Sequence, residues 1–397
     1  MKKKVLAVIL IAMTLLVGCG SEQEEVQSPI IEVTPQPIAT ATSEPTAEPT
    51  ATPEAEKVSG DIVTITEREV VDGKMQSYLT GEWKDAAIVQ RRNIAVMVPN
   101  NKPAVPQYGI SKASIIYEAP MESGTCTRLM PVFEDYDDLD RIGPVRSSRD
   151  YFVYEAMAMD SIYVNWGLAV PYVAPLMEEG RIDNISNAVS GQPNAYSAPF
   201  QRFNRGSGYS TEFTGYAVVD KIVEGISYMG YDTEYRDTFE KTFVFADAEK
   251  GKKATYDDCE DATKIIPGGG VKDSSGYQEA ASYFEYNAED GLYYRYQHGG
   301  KHIDEMNGEQ LAVTNVVFKI CHGEKRDQKG YLAFAVHGSG DAYVFTNGKV
   351  VKGTWERNSD AEPNIFKDEN GEEIVLNQGK TWICNIWDEY EDCAKWE

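Results

Sequence analysis

Side chains that can do chemistry concentrate between Arg91 and Gly167. The centre of that stretch carries Glu118, Glu122, Arg128, Arg146, Ser147, Ser148 and Arg149, then Asn165 and Trp166, threaded between apolar runs. A guanidinium is a planar fork of donors that stays charged at neutral pH and matches a phosphate or carboxylate. Arg146 and Arg149 also flank the predicted start of a helix at Ser148, where free N–H groups and the helix dipole favour an anion. The pattern points to Arg128, Arg146 and Arg149, with Ser147 and Ser148, binding an anionic group, and to Asn165 and Trp166 supplying a stacking face. Glu118 and Glu122 flank Pro120, and two carboxylates on one rim are what glycan cleavage or transfer needs. They are the candidate catalytic residues. The alternative is that both glutamates pair with these arginines inside the fold.

Other templates are missing. The chain has no Gly-x-Ser-x-Gly elbow, no His-Glu-x-x-His and no paired Cys-x-x-Cys, which leaves the common hydrolase and zinc readings unsupported. Its four histidines are His298, His302, His322 and His337. The first two are four apart, but Gly299-Gly300 between them signals a turn rather than a helix face, so neither a metal nor a cofactor is expected. The acidic run from Glu134 to Asp140 lacks the central glycine of a calcium loop.

The elements that must position these residues follow a long leader. Lys2-Lys3-Lys4, an apolar run to Val17 and then Gly18-Cys19 form a lipoprotein signal in residues 1–18, with Cys19 as the lipidated first residue of the mature chain. Residues 19–59 are rich in Thr, Pro, Glu and Ala; with almost no aliphatic side chains they cannot offset the entropy of ordering. As an extended tether at ~3.1 Å per residue they span ~100 Å. The expected location is the outer face of the cytoplasmic membrane of a Gram-positive bacterium, held by the lipid on Cys19. A formal charge of −25 argues against nucleic acid as a partner. The partners that remain are an anionic wall glycan, teichoic-type polymer or lipid-linked precursor, or an envelope protein. Cys126, Cys259, Cys321, Cys384 and Cys393 are odd in number and irregularly spaced, so they prescribe no disulfide framework and leave any pairing open.

Residues 60–238 read as an N-terminal α/β layered domain. Strands are predicted at 93–98, 114–118, 127–133 and 162–166, and helices at 148–160 (with Ser147 or Ser148 as N-cap), 173–179 and about 211–229. Residues 239–397 read as a β-rich, mainly antiparallel C-terminal domain, with strands at 242–245, 283–286, 292–296, 313–320, 331–336 and 342–345. Asp290-Gly291, Asn307-Gly308, Asn347-Gly348 and Asn370-Gly371 supply hairpin signals. The class is α+β. Tyr283, Tyr286, Tyr293, Tyr294 and Tyr296, with Trp355, Trp382, Trp387 and Trp396, make an aromatic set in this second domain that would suit an interaction scaffold if exposed, or a core if not.

Several longer motifs carry a resemblance. Arg91-Arg92-Asn93-Ile94-Ala95-Val96-Met97-Val98, Pro106-Gln107-Tyr108-Gly109-Ile110-Ser111-Lys112-Ala113, Gly143-Pro144-Val145-Arg146-Ser147-Ser148-Arg149 and Leu376-Asn377-Gln378-Gly379-Lys380-Thr381-Trp382 together resemble the YerB-like lipoproteins of Gram-positive bacteria. The resemblance covers nearly everything from about 79 to 387. It implies a membrane-anchored extracytoplasmic protein with an α/β first domain and a β-rich second domain, both of unknown function, and no established activity.

Overall fold

Four strands, Ile115–Pro120, Thr127–Phe133, Asn315–Cys321 and Thr381–Trp387, are buried along their whole length. Strands covered on both faces read as mainly apolar runs rather than alternating ones, and all four do, each interrupted by a polar or charged residue such as Glu118, Arg128, Lys319 or Asn385. The computed structural model describes residues 62–122, 126–240, 243–269 and 276–397. Cys19, the tether and Thr242 of an expected strand lie outside the described residues. The chain is α+β with strands predominating.

These four strands form the middle of one mixed sheet, which has twelve strands among the described residues. Asn315–Cys321, Thr381–Trp387 and Ile115–Pro120 run parallel side by side, with Ile383 opposite both Val317 and Tyr117. On one side the sheet continues antiparallel through Gly338–Thr346 and Lys349–Arg357. On the other it passes through Thr127–Phe133 and Ile94–Val96 to Ile162–Asn165 and Asn184–Ser186, the last three parallel. Residues on both sides of the expected boundary at 238/239 thus share one sheet. The strand Thr381–Trp387 joins them, and it is parallel to both neighbours, which an antiparallel reading of the C-terminal half does not contain.

Helices Asp150–Ala158 and Val170–Glu178 cover one face through Tyr151, Phe152, Val173 and Met177, against Tyr117, Val317 and Ile383. The other face, with Ile116, Phe318 and Trp382, is covered by the helix Val219–Met229 and by a smaller sheet containing Tyr283–Asn287 and Leu292–Gln297. That third helix starts later than its apolar pattern suggests. Gly215–Val218 is a strand paired with Phe200–Arg202, and its apolar residues run without a break into those of the helix. Asp290-Gly291 and Asn347-Gly348 sit at hairpin turns as expected.

Burial of both faces forces charged residues within these strands to find partners. Lys319 sits in the middle of Asn315–Cys321 and is fully buried. Its ammonium lies 2.9 Å from Glu155 Oε1 on the helix Asp150–Ala158 and donates to Asn364 Oδ1 at 2.6 Å. Arg357 reaches the second oxygen of Glu155 at 3.3 Å, and Asn364 donates to that oxygen at 2.8 Å. Burial raises the Glu155 pKa, but Lys319 and Arg357 more than offset it, and the carboxyl ends below its ordinary value. A charge left alone in such a site is strongly destabilising, whereas removing a whole pair is much less so. Glu155→Gln, which leaves both Lys319 and Arg357 buried without a carboxylate, is therefore expected to cost about 3–5 kcal/mol in urea unfolding. The double variant Lys319→Met/Glu155→Gln is expected to recover part of that loss, because Arg357 keeps the Tyr154 and Asp360 carbonyls; a double variant less stable than the single one would contradict this.

Candidate functional site

The segment Val145–Arg149 is threaded along the ends of the sheet strands by its own backbone. Arg146 N–H donates to Met97 O at 2.8 Å, Ser148 N–H to Gly167 O at 2.8 Å, and Arg146 O accepts from Trp166 N–H at 3.1 Å. Gly167 adopts a positive φ of +94°, and a Cβ there would lie 2.7 Å from Ser147 Oγ. Glycine is required for the segment to pass so close. This path carries Arg146 and Arg149 to the neighbourhood of Arg128, which comes from the strand Thr127–Phe133.

Arg128 is buried. Its Nη1 donates to Ser147 O, its Nε has no hydrogen-bond partner, and it meets no carboxylate among the described residues. Burial lowers its pKa to about 9, with Arg149 and Arg146 pushing the same way and Glu122 partly opposing them. Arg149, also buried, pairs with Glu122, donates to Ser148 O at 2.7 Å and lies 5.3 Å from the Tyr331 ring centre. Arg146 is partly exposed and reaches Glu212 Oε2 at 2.8 Å.

Arg146 lines a cleft of about 290 Å³ with Trp166, Arg202, Glu212 and Gly215. A side chain at Gly215 would collide with the Trp166 ring, its Cβ only 2.4 Å away, so the cleft depends on that glycine. The Arg202 guanidinium sits 4.6 Å over the Trp166 ring and Phe200 packs edge-on at 5.6 Å. The tryptophan therefore presents less stacking face than expected, and Arg202 is a fourth arginine whose place beside this group its sequence position did not reveal.

Three other expectations need correction. Ser148 is buried, with Oγ 2.7 Å from the Tyr163 hydroxyl; the helix begins at Asp150 after Arg149 as N-cap, with no side-chain cap. Its first turn is already occupied by the Asp150 carboxylate, 2.8 Å from Arg326, so the helix start adds no vacant anion position. Asn165 is fully buried, donating to Gly167 O at 2.8 Å and to Gln192 Oε1 at 3.0 Å and accepting from Ser186 at 2.5 Å. It fixes the end of its strand and does not face a ligand.

Glu118 does not share a rim with Glu122. Alternation along Ile115–Pro120 sends it to the opposite face from Tyr117. There, fully buried, its carboxylate meets Arg295 at 2.8 Å, Trp382 Nε1 at 3.0 Å, Thr127 Oγ1 at 2.6 Å and Asn100 Nδ2 at 3.2 Å. A carboxylate with no access to solvent and four protein donors is not available to a glycan, and the pair Glu118/Glu122 is withdrawn as a catalytic constellation. Glu118 pairs with an arginine of the C-terminal half, not with those beside Glu122. Glu122 pairs with Arg149.

The same buried cluster holds the two halves together. Gln107 donates through Nε2 to Pro99 O at 3.0 Å, which leaves its Oε1 to accept from His302 Nε2 at 2.8 Å. Asp304 accepts from the Gly109 and Ser111 N–H groups at 2.8 and 2.7 Å. Among the described residues no group of three or more His, Cys, Asp or Glu is arranged to hold a metal, and no disulfide joins Cys126, Cys259, Cys321 or Cys384. Of the aromatic set, Tyr293, Trp355, Trp382 and Trp387 are core, while Tyr283 and Tyr296 stack at 4.8 Å on a half-exposed face.

Residues 79–232 match the model described as "Protein of unknown function (DUF3048) N-terminal domain", and residues 273–383 match the corresponding "C-terminal domain". The chain belongs to this DUF3048 family, that of the YerB-like lipoproteins. In particular it is similar to the "Putative lipoprotein YerB" of Bacillus subtilis (strain 168), with 27% identity over 312 residues that cover 78% of this chain and 86% of the relative. The crystal structure of the YerB protein from Bacillus subtilis superposes with a TM-score of 0.65 at 23% identity, covering 81% of this chain and 98% of that one; this likeness shows the fold. No helix of the described residues is long and apolar enough to cross a membrane.

The buried imidazole makes a pH prediction. Burial, then Arg295 and His298, hold the His302 pKa well below its ordinary value. Below about pH 6.5 the unfolded chain binds a proton there that the folded chain does not. Stability is therefore complete above that pH and falls as pH drops, by up to about 1.4 kcal/mol per unit. Urea midpoints measured from pH 7 to 5 are expected to fall less steeply in His302→Gln than in the parent; equal slopes would refute the assignment.

Proposed function

We propose that this chain is a lipid-anchored envelope protein, held by Cys19 on the outer face of the cytoplasmic membrane after removal of its signal peptide. In this reading it binds an anionic group of an envelope component, such as a wall glycan, a teichoic-type polymer or a lipid-linked precursor, through Arg128, Arg149 and Arg146. Ser147 lends its carbonyl to Arg128, and Trp166 and Arg202 form one wall of the adjoining cleft. The relative's printed name supports the anchor.

One observation carries the binding proposal. Arg92, Arg149, Arg295, Lys319 and Arg357 are buried and each meets a carboxylate; Arg128 is buried beside two other guanidinia and meets none among the described residues. An uncompensated buried cation is costly. An anion bound between Arg128 and its neighbours would supply the missing charge, and in a chain with net charge −25 such a site is a local exception to the general repulsion of anions.

This predicts a separation of stability from binding. In the full chain in detergent, Arg128→Met is expected to leave the unliganded protein as stable as the parent or more stable by about 1–4 kcal/mol, since it removes an unpaired buried charge. Pyrophosphate or a purified teichoic-type polymer should raise the melting temperature of the parent and leave that of Arg128→Met unmoved. Equal shifts in the two proteins would refute the proposal.

A further inference from the structure

Lys319 is the one buried lysine among the described residues, and it differs in kind from the buried arginines. An amine that gives up its extra proton is a nucleophile, which a guanidinium does not become. Lys319 also touches an electrophile. Its Nζ donates to Asn364 Oδ1 at 2.6 Å, which puts the nitrogen at most about 3.8 Å from the amide carbon Cγ, one C=O bond further on. Reacting atoms held about 3–3.5 Å apart are in the range from which bonds form. Glu155 bridges the two groups. Its Oε1 lies 2.9 Å from Lys319 Nζ, and its Oε2 accepts from Asn364 Nδ2 at 2.8 Å. The buried cluster on the other face of the sheet lacks this set: Glu118 also accepts from an asparagine, Asn100, but its cation is Arg295.

The three groups meet in a dry place. Lys319, Glu155 and Asn364 are all buried; the Trp355 ring centre lies 4.1 Å from the ammonium and the Tyr117 hydroxyl 3.5 Å from Asn364 Nδ2. Water is therefore kept from competing as the nucleophile. Charge favours reaction as well. Lys319 and Arg357 share the single carboxylate of Glu155, so the site holds two cations and one anion, and a surplus charge away from water is costly. Turning the ammonium into a neutral amide removes the surplus and leaves Glu155 and Arg357 as a balanced pair.

We propose that Lys319 and Asn364 become joined by an isopeptide bond, with Glu155 carrying the protons. The bond from Lys319 Nζ to Asn364 Cγ forms, and the bond from Cγ to Nδ2 breaks. Glu155 takes a proton from the ammonium and frees the lone pair that attacks Cγ; the carboxyl then hands this proton to Nδ2, which departs as ammonia. The second proton lost by Nζ leaves with it, so the released species is an ammonium ion. The step needs no co-reactant. The cross-link joins residues 45 apart. It ties the central strand Asn315–Cys321 to the start of Ile365–Asp368, a strand that pairs with Lys349–Arg357. No disulfide joins Cys126, Cys259, Cys321 or Cys384, and this bond is the covalent staple in their stead. The inference is independent of the anion site.

The test is mass spectrometry of the purified full chain in detergent. The parent is expected to weigh one molecule of ammonia less than its sequence requires, and its tryptic digest to contain a branched peptide in which the Lys319 side chain is joined to that of Asn364, with no cleavage after Lys319. In Glu155→Gln, which keeps both partners but not the base, the branched peptide is expected to fall by about tenfold or more. Asn364→Ala should show its full sequence mass. A parent digest without the branched peptide would overturn the proposal, as would a branched peptide undiminished in Glu155→Gln. Should Glu155→Gln not fold, the parent and Asn364→Ala decide between them, because the branched peptide is sought in the parent itself.

Discussion

Two buried clusters of paired charge, one on each face of the central sheet, tie the N-terminal half of this chain to its C-terminal half. Glu118 and Glu155 come from the first half and Arg295, Lys319 and Arg357 from the second. Every one of these groups is inaccessible to water, and ions taken out of water are tolerable only where geometry and extra hydrogen bonds compensate. The halves must therefore meet in one register. The parallel insertion of Thr381–Trp387 between Asn315–Cys321 and Ile115–Pro120 supplies that register, and Asp304 on the Gly109 and Ser111 amides pins the loop beside it. Family models divide the sequence into two parts; physically, the parts share a sheet.

Against this background of paired charge, Arg128 is the exception. The fold that gives Glu118 four donors leaves Arg128 with one carbonyl and two like-charged neighbours. Such an arrangement is consistent with a protein that completes its electrostatics with a ligand. It also gives acid–base catalysis little to work with, since Glu122 is committed to Arg149 and Glu118 is sealed. Recognition of an anion needs neither.

Much of the fold was legible because central strands are written as mainly apolar runs without alternation. The strands around 94–96, 115–120, 127–133 and 162–165 fall within a few residues of their expected positions. The helix at 219–229 was read too long because a strand of the same apolar character leads into it. What local sequence could not show was pairing across hundreds of residues: nothing near Glu118 names Arg295, and nothing near Thr381 names Ile115. A signal for the ion pairs was nonetheless present. Glu118 in Ile-Ile-Tyr-Glu-Ala and Lys319 in Val-Val-Phe-Lys-Ile are single charges inside strands buried on both faces, and such charges must be partnered. The proximity of Arg128, Arg146 and Arg149 was suggested by their spacing. The place of Arg202 over the Trp166 ring was not, because it depends on what a distant segment places opposite it.

The central claim is that Arg128 lacks a protein counter-ion and accepts one from solution. Crystals of the protein soaked in selenate, with data collected at the selenium edge, test it directly. The account predicts an anomalous peak within hydrogen-bonding distance of Arg128 and shared with Arg149 or Arg146. An ordered carboxylate of the chain itself on Arg128, or no peak there at saturating selenate, would contradict it.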